Sequence, residues 1–329
     1  MYKKTKLSAV IGGAFAVSIA SILWGLDGVV LTPNLYGLEV GFVVFVLHLI
    51  PFVFMQPFFY KKYKELATHS WKETGSMFLV ALFGGTLGTL CIVKALFLVN
   101  FNHLSAIVLL QKLQPVFAIT LAAIFLKEKM KSSFAVWAAL AIGAGYFLTF
   151  GWDLPHIDGG ENMVYAALFA LLAAFSFGAS TVFSKYSLNS FSFSSATFFR
   201  YGFTTFIMLI YMLFTWKWVQ FQTVDPQTFE IHYYTVPRLY VQFQTVEPQT
   251  WLIILLICAT TGSGAIFLYY YGLRKINAMT STILELFFPI SAVLFDYLFN
   301  GNKLSPVQWI AALLMMLCIF MLNLSNRKK

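Results

Sequence analysis

Five ionisable side chains lie inside stretches of sequence that are otherwise apolar. Lys112 interrupts the run AIVLLQKLQPVFA, and Glu285 interrupts TILELFFPI. Asp27, His48 and Arg200 occur in three further apolar runs. An ion at bilayer depth costs about 2.5 to 3.5 kcal/mol on insertion scales, so such residues are candidates for a functional site. Their chemistry is the binding of charged groups and the transfer of protons.

The composition indicates that hydrocarbon surrounds these residues. Of 329 residues, 59% are apolar, 18% aromatic and only 11% charged, whereas soluble domains are about 25% charged. We therefore predict an integral membrane protein with the lipid bilayer as its environment. The net charge of +9 follows the predicted topology, which argues against a nucleic-acid partner. The three cysteines lie singly in apolar runs, so we predict that they pack and that no metal or cofactor is bound.

Polar interruptions divide the chain into apolar segments of about the 20 residues that a membrane-spanning helix needs. The first segment continues too far past its N-terminal lysines to be a signal peptide. We predict ten spans, at approximately 8–32, 38–58, 75–98, 103–126, 133–151, 163–184, 193–215, 251–273, 277–299 and 306–324.

Basic residues orient these spans. With a cytoplasmic N-terminus, the outside keeps only Lys217, Arg238 and Lys303. This bias predicts a multi-pass protein of the cell membrane with both termini in the cytoplasm. The basic residues predicted to be inside are Lys3, Lys4, Lys6, Lys61, Lys62, Lys64, Lys72, Lys127, Lys129, Lys131, Lys185, Arg274, Lys275, Arg327, Lys328 and Lys329.

The chain contains an internal repeat. The segment around LLQKLQPVFA aligns with ILELFFPISA, which places Pro115 over Pro289, and ILWGLDGVV aligns with FSFGASTVF. Because five spans per repeat is an odd number, the second repeat must cross the membrane in the opposite direction. The predicted fold class is an all-α polytopic membrane protein whose ten transmembrane helices form two inverted five-helix repeats. The first repeat covers residues 1–151, and the second covers 152–218 and 250–329.

Residues 219–249 form an extracytoplasmic insertion between spans seven and eight. VQFQTVDPQT at 219–228 recurs as VQFQTVEPQT at 241–250, which indicates a duplicated segment. Alternating apolar and polar residues in VQFQTV and FEIHYYTV are compatible with short strands. The insertion is either a lid or partner-binding hairpin, or a passive addition, and we favour the second interpretation because loops tolerate insertions.

The chain resembles EamA-type members of the drug/metabolite transporter superfamily. The resemblance rests on the inverted repeat, the WG of span one, the GGTLG of span three and LQPVFAITLAAIFLKEK at the end of span four. It covers nearly the whole chain outside the insertion. The glutamate usual after span four is Glu128, whereas its counterpart in the second repeat is Asn302. The resemblance implies a transporter fold, but the cargo of this superfamily is diverse.

Lys112 and Glu285 fall at similar depth in spans four and nine, because the two repeats are inverted. Glu285 aligns with Gln111, the neighbour of Lys112, and Ser281 shares a helical face with Glu285. We therefore predict that Lys112 and Glu285 face each other across the pseudo-two-fold axis. Either they bind charged groups of a substrate, with Glu285 also able to carry a proton, or they form a permanent salt bridge.

Further residues are candidates for substrate binding. Trp24 and the tyrosines at 269–271, with Tyr270 the one assigned, could surround a ring or a cation. Asp27 follows Trp24 on span one, where it lies either at the substrate site or in an outer vestibule. Arg200 could clamp an anion, or reach the inner surface, and His48 could relay a proton, or act as a hydrogen-bonded core residue.

These residues predict a secondary transporter, a permease or exporter, of a small polar or zwitterionic metabolite such as an amino acid. Transport would use alternating access, with protons as a candidate coupling ion, by a monomer or homodimer. The alternatives are a lipid flippase or scramblase and, less favoured, an intramembrane enzyme. No motif of a zinc protease or a serine hydrolase occurs, so the protein is predicted not to be an enzyme.

Overall fold

The computed structural model describes residues 2–99, 107, 110–153, 160–215, 218–224 and 231–327. The first part of predicted span four, the loop residues 225–230 and the basic residues Lys217, Lys328 and Lys329 lie outside these ranges. Within them the chain is helical except for one two-stranded sheet in the insertion of the second repeat.

The first repeat has seven α-helices in its described part, two of them extended by wide π-helical turns at Asp27–Leu31 and Ala81–Leu87. Tyr60–Lys62 forms a short 3-10 turn. The helices are α1 (Tyr2–Leu26), α2 (Val40–Phe59), α3 (Tyr63–Thr68), α4 (Trp71–Val80), α5 (Gly88–Leu98), α6 (Gln114–Phe125) and α7 (Ser132–Phe150).

The second repeat has a third π-helical turn, at Cys258–Gly262, in the same place as the one at Ala81–Leu87. The elements from residue 160 onwards are α8 (Gly160–Ser187), α9 (Phe193–Phe214), β1 (Trp218–Val224), β2 (Ile231–Pro237), α10 (Arg238–Thr245), α11 (Pro248–Ile257), α12 (Ser263–Leu273), α13 (Ala278–Leu284), α14 (Phe287–Asn300) and α15 (Pro306–Arg327).

Eight helices of the described chain are long and apolar enough to cross a membrane. They coincide with predicted spans one to three and five to nine. The regions of spans four and ten contain the shorter apolar helices Gln114–Phe125 and Pro306–Leu322. The all-helical membrane fold is therefore confirmed, and the count of ten spans stays a prediction.

Loops that carry basic residues meet at one end of the bundle, which we call the basic end. The Glu128 carboxylate accepts hydrogen bonds from the backbone of Ala278 and Met279, at 2.8 and 3.0 Å. Lys185 Nζ donates to the carbonyl of Leu273 at 2.9 Å. Since α8 ends at this end and α1 leads away from it, the first helices of the two repeats run in opposite directions.

Helix packing repeats between the two halves. Helix α1 packs on α12 and α14, and the corresponding helix α8 packs on α5 and α6. Helices α2 and α9 pack together, as do α7 and α15. Each contact therefore joins one repeat to the other, and the core is shared between them. The cysteines Cys91, Cys258 and Cys318 are buried in it and free, as predicted for packing residues.

Two copies of one six-residue sequence have different structures in the insertion. VQFQTV at 219–224 lies in β1, which pairs antiparallel with β2 so that Trp218 is opposite Pro237. VQFQTV at 241–246 lies mostly in α10. There Gln242 Oε1 accepts from the Glu39 backbone at 3.1 Å, and the Phe243 ring lies 5.1 Å from that of Phe42. Contacts with the start of α2 therefore hold the second copy as a helix.

We expect deletion of residues 219–236 to leave folding and transport unchanged. The deletion joins Trp218 to Pro237, which are opposite each other in the hairpin, and it keeps α10. Loops of this kind tolerate shortening. Thermal melts in detergent and uptake by proteoliposomes measure the effect. As a control, Phe243→Ala in the second copy should lower stability by about 1 kcal/mol, because it removes the ring contact with Phe42. Loss of transport on deletion would show that the hairpin takes part in the mechanism.

Candidate functional site

Two helix breaks lie at equivalent places in the repeats. Lys112 and Leu113 form a turn before α6 begins at Gln114, and Glu285 and Leu286 form a turn between α13 and α14. Proline cannot donate the hydrogen bond that would continue either helix, because it has no N–H. Discontinuous helices in corresponding halves are a common location of transporter binding sites.

The carboxylate of Glu285 is held by three side chains at the second break. Tyr269 donates to Oε1 at 2.8 Å, Ser281 donates to the same oxygen at 3.4 Å, and Gln114 Nε2 donates to Oε2 at 2.5 Å. Gln114 belongs to the first repeat and directly precedes Pro115. Glu285 is therefore a contact between the two halves, made by hydrogen bonds to neutral groups.

Aromatic side chains stand beside Glu285. The rings of Trp24 and Tyr269 lie 5.3 Å apart and are tilted by 55°, and the rings of Tyr269 and Tyr270 lie 5.8 Å apart. Thr181 shares a hydrogen bond of 2.9 Å with Tyr269, and Ser184 donates to Tyr270 at 3.1 Å. Trp24 is half-buried whereas both tyrosines are buried, so Trp24 is the ring available for stacking.

Arg200 extends this group of residues on the far side of Tyr270. Its Nη1 donates to the Tyr270 hydroxyl at 3.1 Å. His48 packs its ring 5.3 Å from that of the adjacent residue, Tyr201. His48 Nδ1 lies 2.8 Å from the Val44 carbonyl, and since a carbonyl only accepts, Nδ1 carries the proton and Nε2 is left as the acceptor.

We call these connected residues the central cluster. Five of its members were predicted from sequence as site residues, namely Trp24, Arg200, Tyr270, Ser281 and Glu285. The other four are Gln114, Thr181, Ser184 and Tyr269. Its members are Trp24, Gln114, Thr181, Ser184, Arg200, Tyr269, Tyr270, Ser281 and Glu285.

Asp27 lies outside the central cluster, in the π-helical turn that continues α1. Its Oδ1 accepts from Thr261 at 3.1 Å, and Thr261 belongs to the π-helical turn before α12. A π turn widens the helix and is often found at functional sites. Asp27 therefore links two such turns, one from each repeat.

The predicted pairing of Lys112 with Glu285 is wrong. Buried Lys112 donates to Thr149 and, at 3.4 Å, to the Gly145 carbonyl, both on α7. The salt bridge found among the described residues joins Lys62 to Glu65, so Lys112 and Glu285 do not form one. The turn at 112–113 interrupts the helical periodicity from which the facing arrangement was predicted, so Lys112 points to α7. Gln111 is half-buried and contributes none of the hydrogen bonds to Glu285.

Four of these residues, Gln114, Thr181, Ser184 and Thr261, were not predicted from the sequence. The signal for Gln114 was available, because a polar residue directly before a proline in an apolar span marks a helix break. Thr181 and Thr261 have no such signal, since single threonines are ordinary in spanning helices. In the described chain no three His, Cys, Asp or Glu side chains come together as metal ligands.

An apolar groove lies apart from the central cluster. It has a volume of about 770 Å³ and is formed by α4, α8, α9 and the end of α6. Its lining includes Trp71, Phe78, Phe125, Phe183 and Phe203. Polar cargo requires convergent hydrogen-bonding groups, so we assign the site to the polar central cluster rather than to this groove.

Comparison with known proteins agrees with this architecture. A profile of the EamA-like transporter family matches residues 11–151 and again residues 164–324, one match for each repeat. The chain is 47% identical over 317 residues to a protein of Fusobacterium nucleatum subsp. nucleatum described as the riboflavin transporter ImpX. That alignment covers 96% of this chain and 99% of the relative. A solved crystal structure with 15% identity aligns over 98% of each chain with a TM-score of 0.69, a similarity of fold alone.

Proposed function

This chain belongs to the EamA-like transporter family, and from that premise we propose that it is a secondary transporter of riboflavin that works by alternating access. It is a membrane transporter rather than an enzyme. The observation that carries the choice of cargo is the 47% identity to a riboflavin transporter over almost the full length of both chains.

The central cluster has the groups that riboflavin requires. Riboflavin combines a flat three-ring system with a chain of hydroxyl groups. Trp24 offers an aromatic face for stacking, and Tyr269 supports it from behind at a ring distance of 5.3 Å. Glu285, Gln114 and Ser281 offer hydrogen-bonding groups beside those rings. A flavin suits this arrangement better than the zwitterionic metabolite expected from sequence, because Lys112 and Glu285 do not enclose a common space.

Alternating access is supported by the contacts between the repeats. We propose ten spans in the cell membrane as two inverted repeats, with both termini and the basic end in the cytoplasm. Glu128 of the first repeat holds the start of α13 in the second repeat at this end. Opening the basic end would require this contact to break.

Protons are our candidate coupling ion. Glu285 and Asp27 are intramembrane carboxylates, and neither has a cationic partner within 4 Å among the described residues. Intramembrane carboxyl groups serve as proton carriers in transporters. Glu285, which also touches both repeats, is the better placed of the two to couple protonation to movement.

We expect purified protein in liposomes to take up radiolabelled riboflavin saturably. Unlabelled riboflavin in excess should compete, whereas a panel of amino acids should not. Liposomes without protein give the background, and fluorescent lipids in the same vesicles test for a flippase. Uptake of an amino acid without uptake of riboflavin would refute the proposed cargo. Lipid movement without uptake would favour the flippase.

A further inference from the structure

Arg200 is a buried cation without a carboxylate partner. Its side chain is 9% exposed. No acidic oxygen of the described chain lies within 4 Å of it. Its Nε is buried and has no hydrogen-bond acceptor. An uncompensated buried charge is expensive, so an intramembrane arginine in this state indicates that another molecule supplies acceptors to it.

The surroundings of Arg200 supply further donors but few acceptors. Tyr270 OH accepts both from Arg200 Nη1 and from Ser184, each at 3.1 Å. Its own proton is therefore directed to another acceptor. A β-carbon built on Gly84 would lie 3.1 Å from Arg200 Nη1, so the guanidinium lies close against the π-helical turn of the first repeat. The site is rich in donors and fixed by both repeats.

The position of Arg200 relates this site to the aromatic rings. Tyr270 touches Arg200 through its hydroxyl and lies 5.8 Å from Tyr269, whose ring lies 5.3 Å from Trp24. Trp24 and Arg200 are therefore the two ends of one series of contacts through Tyr269 and Tyr270. The ligand edge that matches Arg200 is one with two adjacent acceptors, because the guanidinium donates two parallel hydrogen bonds.

We propose that Arg200, supported by Tyr270, recognises the N1 and C2 carbonyl edge of the flavin pyrimidine ring. This inference rests on the proposed function. Both atoms of that edge are acceptors, and they lie side by side in the ring plane. Arg200 is thereby the residue that distinguishes flavins from other flat aromatic molecules that could stack on Trp24.

The test compares two analogues as competitors of riboflavin uptake in proteoliposomes. In 1-deazariboflavin a C–H group replaces the acceptor N1, whereas 5-deazariboflavin changes a distant ring position. Wild-type protein should bind the 1-deaza analogue about 10-fold to 100-fold more weakly than the 5-deaza analogue, since hydrogen bonds to charged groups are strong. Arg200→Gln should lower the affinity for riboflavin and make the affinities for the two analogues equal. Arg200→Lys should restore part of the affinity difference, because lysine keeps the charge but cannot donate two parallel hydrogen bonds.

Arg274→Gln is the matched control, because Arg274 is exposed at the basic end. It should keep the wild-type ratio. Equal affinity of the wild type for both analogues would overturn the inference even if Arg200→Gln fails to fold. Absence of any riboflavin uptake would instead refute the proposed function, so the two failures are distinguishable.

Discussion

Replacing Gly25 or Gly178 with leucine should prevent folding, and alanine at either position should lower stability by about 1 to 3 kcal/mol. The two glycines occupy equivalent places in the repeats. A β-carbon at Gly25 would lie 3.0 Å from the backbone of both Phe288 and Ala292 on α14. A β-carbon at Gly178 would lie 2.9 Å from the backbone nitrogen of Ala118 on α6.

These distances leave no room for adjustment, because backbone atoms cannot rotate away as a flexible side chain can. Each contact joins the first helix of one repeat to the fourth helix of the other, directly after the helix break. Within a membrane the hydrophobic effect does not drive helices together, because lipid tails are as apolar as the helix surface. Close approach through small residues is therefore a main means of helix association. The alanine variants should therefore separate α1 from α14, or α8 from α6.

Thermal melts and the monodisperse fraction in detergent measure this effect. The matched controls are Gly12→Ala in the same helix as Gly25, and Gly143→Ala in α7. A β-carbon at either control position would meet nothing within 4 Å. These variants should be as stable as the wild type or more so, since alanine favours helix. If Gly25→Ala has the same melting temperature as Gly12→Ala, the close contact between α1 and α14 does not exist.

Glu285→Ala should reduce riboflavin uptake about 100-fold while the protein stays folded. In the proposed site Glu285 also accepts a hydrogen bond from riboflavin, and one such bond to a charged group contributes about 1.5 to 3 kcal/mol, or about 10-fold to 100-fold in binding. The side chains that lose an acceptor within the protein are Gln114, Tyr269 and Ser281. Tyr269 retains its bond with Thr181. The loss should therefore fall on transport more than on stability.

Glu285→Gln separates binding from coupling. Glutamine keeps the size of the side chain but cannot carry a proton. We expect this variant to exchange riboflavin across the membrane at equilibrium, yet to be insensitive to an imposed proton gradient. Glu161→Gln, an exposed change at the start of α8, should respond as the wild type does. Full gradient-driven uptake by Glu285→Gln would exclude this residue as the proton carrier.

The insertion shows how far local sequence determines structure. VQFQTV at 219–224 is a strand and VQFQTV at 241–246 is mostly helix. The alternation of apolar and polar residues was compatible with short strands in the insertion. The secondary-structure propensity of six residues is weak. The packing of the Phe243 ring against Phe42 and Trp251 therefore determines that the second copy is helical. The duplication was visible in the sequence, but its two conformations were not.

The sequence by itself determined the membrane class, the repeat and the depth of the polar residues. These follow from apolar run length, charge bias and self-similarity, which are properties of composition along one dimension. They were sufficient to predict Glu285, Arg200, Trp24 and Ser281 as neighbours of a site. The depth of a residue in the membrane follows from its position along a spanning helix, so the prediction of depth needs no tertiary structure.

Only the tertiary structure decided which of these residues meet. Lys112 and Glu285 were predicted to face each other because the inverted repeats place them at similar depth. That prediction also needs a continuous helix, in which position along the chain fixes the direction of each side chain. The turns at 112–113 and 285–286 end that relation. The side chain of Lys112 therefore points to Thr149 on α7. Gln114, three residues after Gln111, is instead the residue of the first repeat that contacts Glu285. Direction across a helix break depends on the backbone path, and packing between the two repeats sets that path.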